Sequence, residues 1–174
     1  MKLITLFFFL ILIGFTSCED DEELKLTTPK GNYIGSLRTN GYYYLTISND
    51  TENRALCYML YRDGTLLYGG APLVADVAAR EVEYTSGSWD ISAKAEKTFW
   101  GIFQTTGSNI LFDQWYIRDG GLLASYQTSG TILNDTTFIM SSSTREGLSG
   151  VLLEEVYHFK ALTSKPDSVN QFLD

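Results

Sequence analysis

Chemistry in this chain is bounded by scarcity: it holds one His and two Cys among 174 residues. A single imidazole cannot build a triad without distant Ser and Asp, and no Gly-x-Ser-x-Gly nucleophile elbow occurs. One His and two Cys cannot close a four-ligand structural zinc site, and two Cys cannot staple a disulfide-rich scaffold. His158 alternates with Val156 and Lys160, opposite Tyr157 and Phe159. That is the setting of a solvated or hydrogen-bonded strand histidine rather than a catalytic base or a haem ligand. Cys57 lies mid-strand among apolar residues with no neighbouring base, as a small buried hydrophobe would. The expectation is a non-enzyme, with no catalytic residue, no cofactor and no metal.

Binding chemistry is better supplied. Aromatic residues make up 14% of the chain, enough to line a pocket as well as fill a core. Tyr44, Tyr58, Trp100 and Trp115 are candidate ligand contacts, offering flat faces for stacking. Asp113 joins them if the row Leu111, Asp113, Trp115 faces inward. A carboxylate there needs a partner, either Arg62, Arg80, Arg118 or a cationic ligand, because an unpaired buried charge is costly. The opposite register puts Phe112, Gln114 and Tyr116 inside, and the alternation leaves both open. The net charge of −8 excludes a general nucleic-acid binder, which must meet phosphate with Lys and Arg.

The start of the chain reads as an address. After Lys2, the run from Leu3 to Phe15 is apolar apart from Thr5 and Gly14. A transmembrane helix needs about 20 such residues, so this run fits the core of a secretion signal. Small residues Thr16 and Ser17 follow, then Cys18. An ordinary secretory signal also ends on small residues, but a cysteine directly after them resembles a bacterial lipoprotein signal. That resemblance implies cleavage before Cys18, lipidation of its thiol and a membrane anchor, since two or three acyl chains hold where one does not. Glu19, Asp20, Asp21, Glu22 and Glu23 then form a self-repelling, solvated spacer. Such a stretch is similar to the export signals of surface lipoproteins of Bacteroidota. The implied location is the outer membrane, on the cell surface ahead of a periplasm-facing orientation.

From about Asn32 the pattern is short strands and turns. Strands are expected over 33–38, 42–48, 54–62, 65–68, 88–92, 98–105, 109–118, 122–127, 130–133, 136–142 and 152–161. Turn formers separate them, and Asp63-Gly64 between apolar segments is the strongest hairpin signal. Many short strands at near-regular spacing predict an all-β antiparallel barrel or sandwich, and closure hides aromatic-rich edges. One segment departs: Leu73, Val74, Val77, Ala78 and Val82 approach helical spacing, with Pro72 suited to the start and Gly87 to the end. One short helix is expected at about 72–85, the alternative being another strand over 80–85. The domains expected are a leader (1–17), a lipid-anchored acidic linker (18–31), a barrel (32–162) and a loosely packed tail (163–174).

Four stretches carry a family resemblance: Trp100-Gly101-Ile102-Phe103, Gly130 to Phe138, Val156 to Lys160, and Lys165-Pro166-Asp167-Ser168. Together they resemble the uncharacterised lipocalin-like outer-membrane lipoproteins of Bacteroidota. The resemblance implies a lipocalin-like barrel with a ligand-sized interior and names no ligand. Two roles compete: capture of a small hydrophobic or aromatic-stacking molecule, and a non-catalytic accessory subunit partnering an outer-membrane protein complex.

Overall fold

A computed structural model of the protein describes residues 25–48, 52–118, 120–145 and 150–173. The leader, Cys18 and the acidic run lie outside these residues. Eight strands, β1 (Gly41–Ser48), β2 (Asn53–Leu60), β3 (Thr65–Gly70), β4 (Trp100–Thr106), β5 (Asn109–Ile117), β6 (Leu123–Asn134), β7 (Thr137–Arg145) and β8 (Val151–Ala161), form the wall. Each pairs antiparallel with the next, and β8 pairs with β1 to close the barrel. The architecture is the expected all-β, up-and-down, lipocalin-like barrel.

The turns follow their residue chemistry. Between β2 and β3, Gly64 takes φ 82°, a left-handed conformation that costs Gly least, while the Asp63 carboxylate accepts the Thr65 amide at 3.0 Å. Between β6 and β7, Asn134 accepts the Thr136 amide at 2.9 Å.

Two helices, not one, fill the long link between β3 and β4: α1 (Val77–Ser86) and α2 (Ser88–Ala95), followed by a 3-10 turn over Lys97–Phe99. Gly87 ends α1 as expected, with φ 80°, and α2 starts directly after it. The strand expected over 88–92 is therefore helical. Trp89 and Ile91 favour strands in isolation, but Trp89 and Ala93, four apart, are the buried face of α2.

Other expectations are corrected likewise. The strands expected over 122–127 and 130–133 are one long strand, β6, starting at Leu123, whose register shifts at Ser129/Gly130; the apparent turn is a bulge. Residues 33–38 are no strand but cross one end of the barrel, where Tyr33 and Leu37 are buried in the interior cluster. The tail is not loose. Tyr61 Oη donates to the Pro166 carbonyl at 2.8 Å, Lys165 Nζ to the Leu60 carbonyl at 2.9 Å, and Phe172 and Leu173 pack on the wall.

The wall packs on both faces over β1–β5, whereas the outer row of β8 is mostly exposed. The interior cluster gathers Tyr43, Leu60, Leu66, Phe103 and Phe138 with the crossing segment. A second cluster on the outer face gathers Tyr42, Cys57, Met59, Leu67 and Trp100 beneath Tyr84 and Trp89 of the helices. Complete burial of each large side chain contributes roughly 1.5–3 kcal/mol.

Candidate ligand cavity

The interior is filled at one end only. At the closed end, the turns after β2, β4 and β6 meet the crossing segment: the Tyr33 amide donates to the Arg62 carbonyl at 2.7 Å and the Arg38 amide to the Asp135 carbonyl at 3.0 Å. The Tyr33 ring rests 5.0 Å from Phe103. At the other end the inward rows of β2, β5, β6, β7 and β8 enclose an open cavity of about 510 Å³, within the usual range for small-molecule sites. Its floor is apolar, formed by Phe112 and Met140, with Leu56 and Leu153 on the sides. Tyr58, Tyr116, Tyr126 and Tyr157 supply four phenols, and Arg145 and Glu155 supply charge near the opening.

The polar groups are ordered by one another. Tyr126 donates to Gln114 Oε1 at 3.1 Å, and Tyr157 to Glu155 Oε2 at 3.1 Å. The Arg145 guanidinium sits 5.1 Å from the centre of the Tyr116 ring, a cation–π contact. Burial is the main force raising the Tyr58, Tyr126 and Tyr157 phenols above their ordinary pKa, and the Glu155 carboxylate pushes Tyr157 further. At neutral pH these phenols are therefore protonated hydrogen-bond donors.

A side recess of about 430 Å³ shares Leu56, Tyr58, Tyr116 and Tyr126 with this cavity. It exists because β4 starts late. Trp100 pairs with Leu67 and Gly101 with Gln114, so Tyr68 to Gly70 of β3 and Trp115 to Ile117 of β5 have no strand between them. The 3-10 turn crosses that gap, and Phe99 stacks on Tyr68 at 6.0 Å.

Set against known proteins, the chain matches no family model, no curated protein and no solved structure. The site therefore speaks through its own residues.

The five residues nominated from sequence are not brought together. Tyr58 lines the cavity, and Trp115 lines the side recess from the outer row, with the Lys97 ammonium 4.5 Å over its ring. Tyr44 lies on the outer face beside His158, ring centres 6.3 Å apart. Trp100 is wholly buried under α2 and donates from Nε1 to the Ala93 carbonyl at 2.7 Å. Asp113 also faces outward, with no exposure, and Phe112, Gln114 and Tyr116 form the inward row of β5. The Asp113 Oδ2 accepts the amides of Thr27 and Thr28 at 3.0 and 2.8 Å, so it holds the N-terminal segment rather than a ligand.

Sequence reading left Tyr116 open as part of the alternative inward row and missed Tyr126, Arg145, Glu155 and Tyr157 as cavity residues. One signal was present: Leu153, Glu155, Tyr157 and Phe159 form a single row of β8, a carboxylate inside an apolar and aromatic series. Neither remaining reactive side chain enters the cavity. His158 is exposed on the outer row of β8. Cys57 lies under α1, its thiol pushed up to about 11 by burial, and so unreactive at neutral pH.

Proposed function

We propose that the chain is a lipid-anchored lipoprotein of the outer membrane whose lipocalin-like barrel binds a small amphiphile and performs no catalysis. The observation that carries this reading is the one-ended filling of the barrel. The interior of the closed end is filled by the buried cluster, whereas the open end keeps a ligand-sized space lined by phenols around an apolar floor. A flat or apolar body would stack on Tyr58, Tyr126 and Tyr157, each good aromatic contact worth about 0.5–1.5 kcal/mol beyond area burial. A polar or anionic group would stay near the opening beside Arg145. The lipid anchor at Cys18 and the surface location rest on the leader and the acidic run.

The test uses anilinonaphthalenesulfonate, which has a flat apolar body and one sulfonate. Its fluorescence should rise on mixing with the protein. The double variant Thr128→Trp/Leu153→Trp, which fills the cavity with indoles, should abolish that rise while leaving the circular-dichroism spectrum unchanged. Undiminished binding by the folded double variant would rule the cavity out as the site.

A further inference from the structure

The open end carries a second feature that the cavity alone does not require. Among the described residues, twelve large apolar side chains are exposed, and six of them ring the open mouth: Ile47, Ile117, Leu122, Leu123, Val151 and Leu152. Leu152 is 88% exposed, Ile117 61% and Leu122 57%. The closed end has only Ile34 and Leu133, and the rest lie on the helical link and the tail. An apolar rim around the mouth of a cavity marks an interaction surface rather than scattered surface residues. Arg118 and Arg145 stand on the same rim.

The path of the N-terminal segment says what faces this rim. Gly31 lies against Gly64 at the closed end. Gln104, the strand partner of Leu111, donates to the Pro29 carbonyl at 2.6 Å, and Thr27 and Thr28 are held at Asp113. Leu26 packs in the outer cluster that contains Trp115. Followed towards its amino terminus, the segment thus climbs the outside of β5 from the closed end to the open one. Only residues 19–24 separate Cys18 from Lys25, a reach of at most about 25 Å. To rest the closed end on the membrane, that tether must double back along a barrel wall about 20 Å high, leaving almost no length to clear it.

We propose that the open mouth faces the bilayer that holds the lipid anchor, with its apolar rim seated among the headgroups, so that the cavity loads a membrane amphiphile directly from that leaflet. The proposal rests on the anchored-lipoprotein reading above. It also assigns work to the rim: Leu122, Val151 and Leu152 enter the interface, and Arg118 and Arg145 meet lipid phosphates. The loaded molecule then never crosses open water.

The test uses the full chain expressed with its leader and reconstituted in vesicles of phosphatidylcholine and phosphatidylethanolamine containing nitroxide-labelled phosphatidylcholine. Leu152→Cys marks the rim and Leu133→Cys the closed end, each labelled with a nitrobenzoxadiazole fluorophore; both positions are exposed, so folding is preserved. The rim label should be quenched severalfold more than the closed-end label. Equal quenching, or stronger quenching at Leu133→Cys, overturns the proposal. So does a blue shift at Leu152→Cys that nitroxide lipid leaves unquenched, since the rim then meets protein, in this sample a second copy. Mass spectrometry of the same sample reads acylation of Cys18 separately, and anilinonaphthalenesulfonate binding in detergent reads the cavity separately. If Cys18 carries no acyl chain, the anchored-lipoprotein reading fails and this proposal falls with it; rim quenching by added vesicles then shows only that the mouth meets lipid without an anchor.

Discussion

Lys165 is a cation whose burial is costly in isolation. Its ammonium is buried against the wall, 3.8 Å from the centre of the Tyr61 ring, and donates to the Leu60 carbonyl. Burial pushes its pKa down to about 8, with Asp63 pulling the other way. The unfolded chain restores a value of about 10.4. Below pH 8 both states are protonated, and the folded state bears the full cost of the buried charge. Between pH 8 and about 10.4 the unfolded state binds more protons, so this residue makes stability rise with pH in that window. Lys165→Met keeps the stem over Tyr61 and removes the titration. Urea denaturation at pH 7, 8, 9 and 10 should show wild type gaining on Lys165→Met as pH rises past 8; parallel curves would refute the assignment. Glu81 behaves oppositely. Although burial raises its pKa, the hydrogen bonds from Lys160 and Tyr42, each 2.5 Å, outweigh that and hold it below the carboxylate range. Its stabilisation is present above the unfolded carboxylate pKa and is lost as pH falls through the folded one. Glu81→Gln should therefore lessen the loss of stability on acidification, read as a smaller shift in melting temperature between pH 6 and pH 3.

At the scale of elements, one carboxylate latches the N-terminal segment to β5 beside its contacts at Gln104 and in the outer cluster. Asp113 Oδ2 takes the Thr27 and Thr28 amides, and Gln127 Nε2 reaches the Thr27 hydroxyl at 2.9 Å. Hydrogen bonds to a charged group are worth about 1.5–3 kcal/mol each, and losing the acceptor leaves both amides unsatisfied. Asp113→Ala should cost about 3 kcal/mol in denaturant unfolding and speed amide exchange in residues 25–31; unchanged exchange there would sink the latch. The same residue explains where sequence reading stopped. Alternation along β5 was legible, and so was the choice between its two rows, but not which row faced in. Normally polarity decides this, because one face meets water. Here α1, α2, the N-terminal segment and the tail cover the outer face, so Cys57, Met59, Trp100 and Trp115 are as apolar as an inward row. The antiparallel all-β class, closure and most strand positions were readable because they depend on turn residues and local propensity, but eleven expected strands reduce to eight. The plug, the second helix and the cavity rows were not, because long-range packing decides them.

Across the whole molecule, the packed core and the candidate cavity lie at opposite ends of one barrel. The closed end buries Tyr33, Leu37, Tyr43, Leu60 and Phe103 almost completely, with the crossing segment as its plug. The open end keeps unfilled space, so side chains there touch fewer partners and contribute less to packing. The two ends should therefore respond differently to equivalent changes. Leu37→Ala removes a wholly buried side chain from a site with no room to collapse, and should cost about 2–5 kcal/mol. Its effect on anilinonaphthalenesulfonate affinity should be slight, because Leu37 does not line the cavity. Thr128→Trp/Leu153→Trp should invert that pattern, leaving the urea midpoint near wild type while removing probe binding. Measuring both quantities on both variants gives a double dissociation. If Leu37→Ala weakened the probe as much as it weakened the fold, the barrel would respond as one unit, and the division into a structural end and a binding end would fail. The same division fits the proposed orientation: the packed end carries the plug, and the end with the cavity is the one towards which the N-terminal segment climbs along β5.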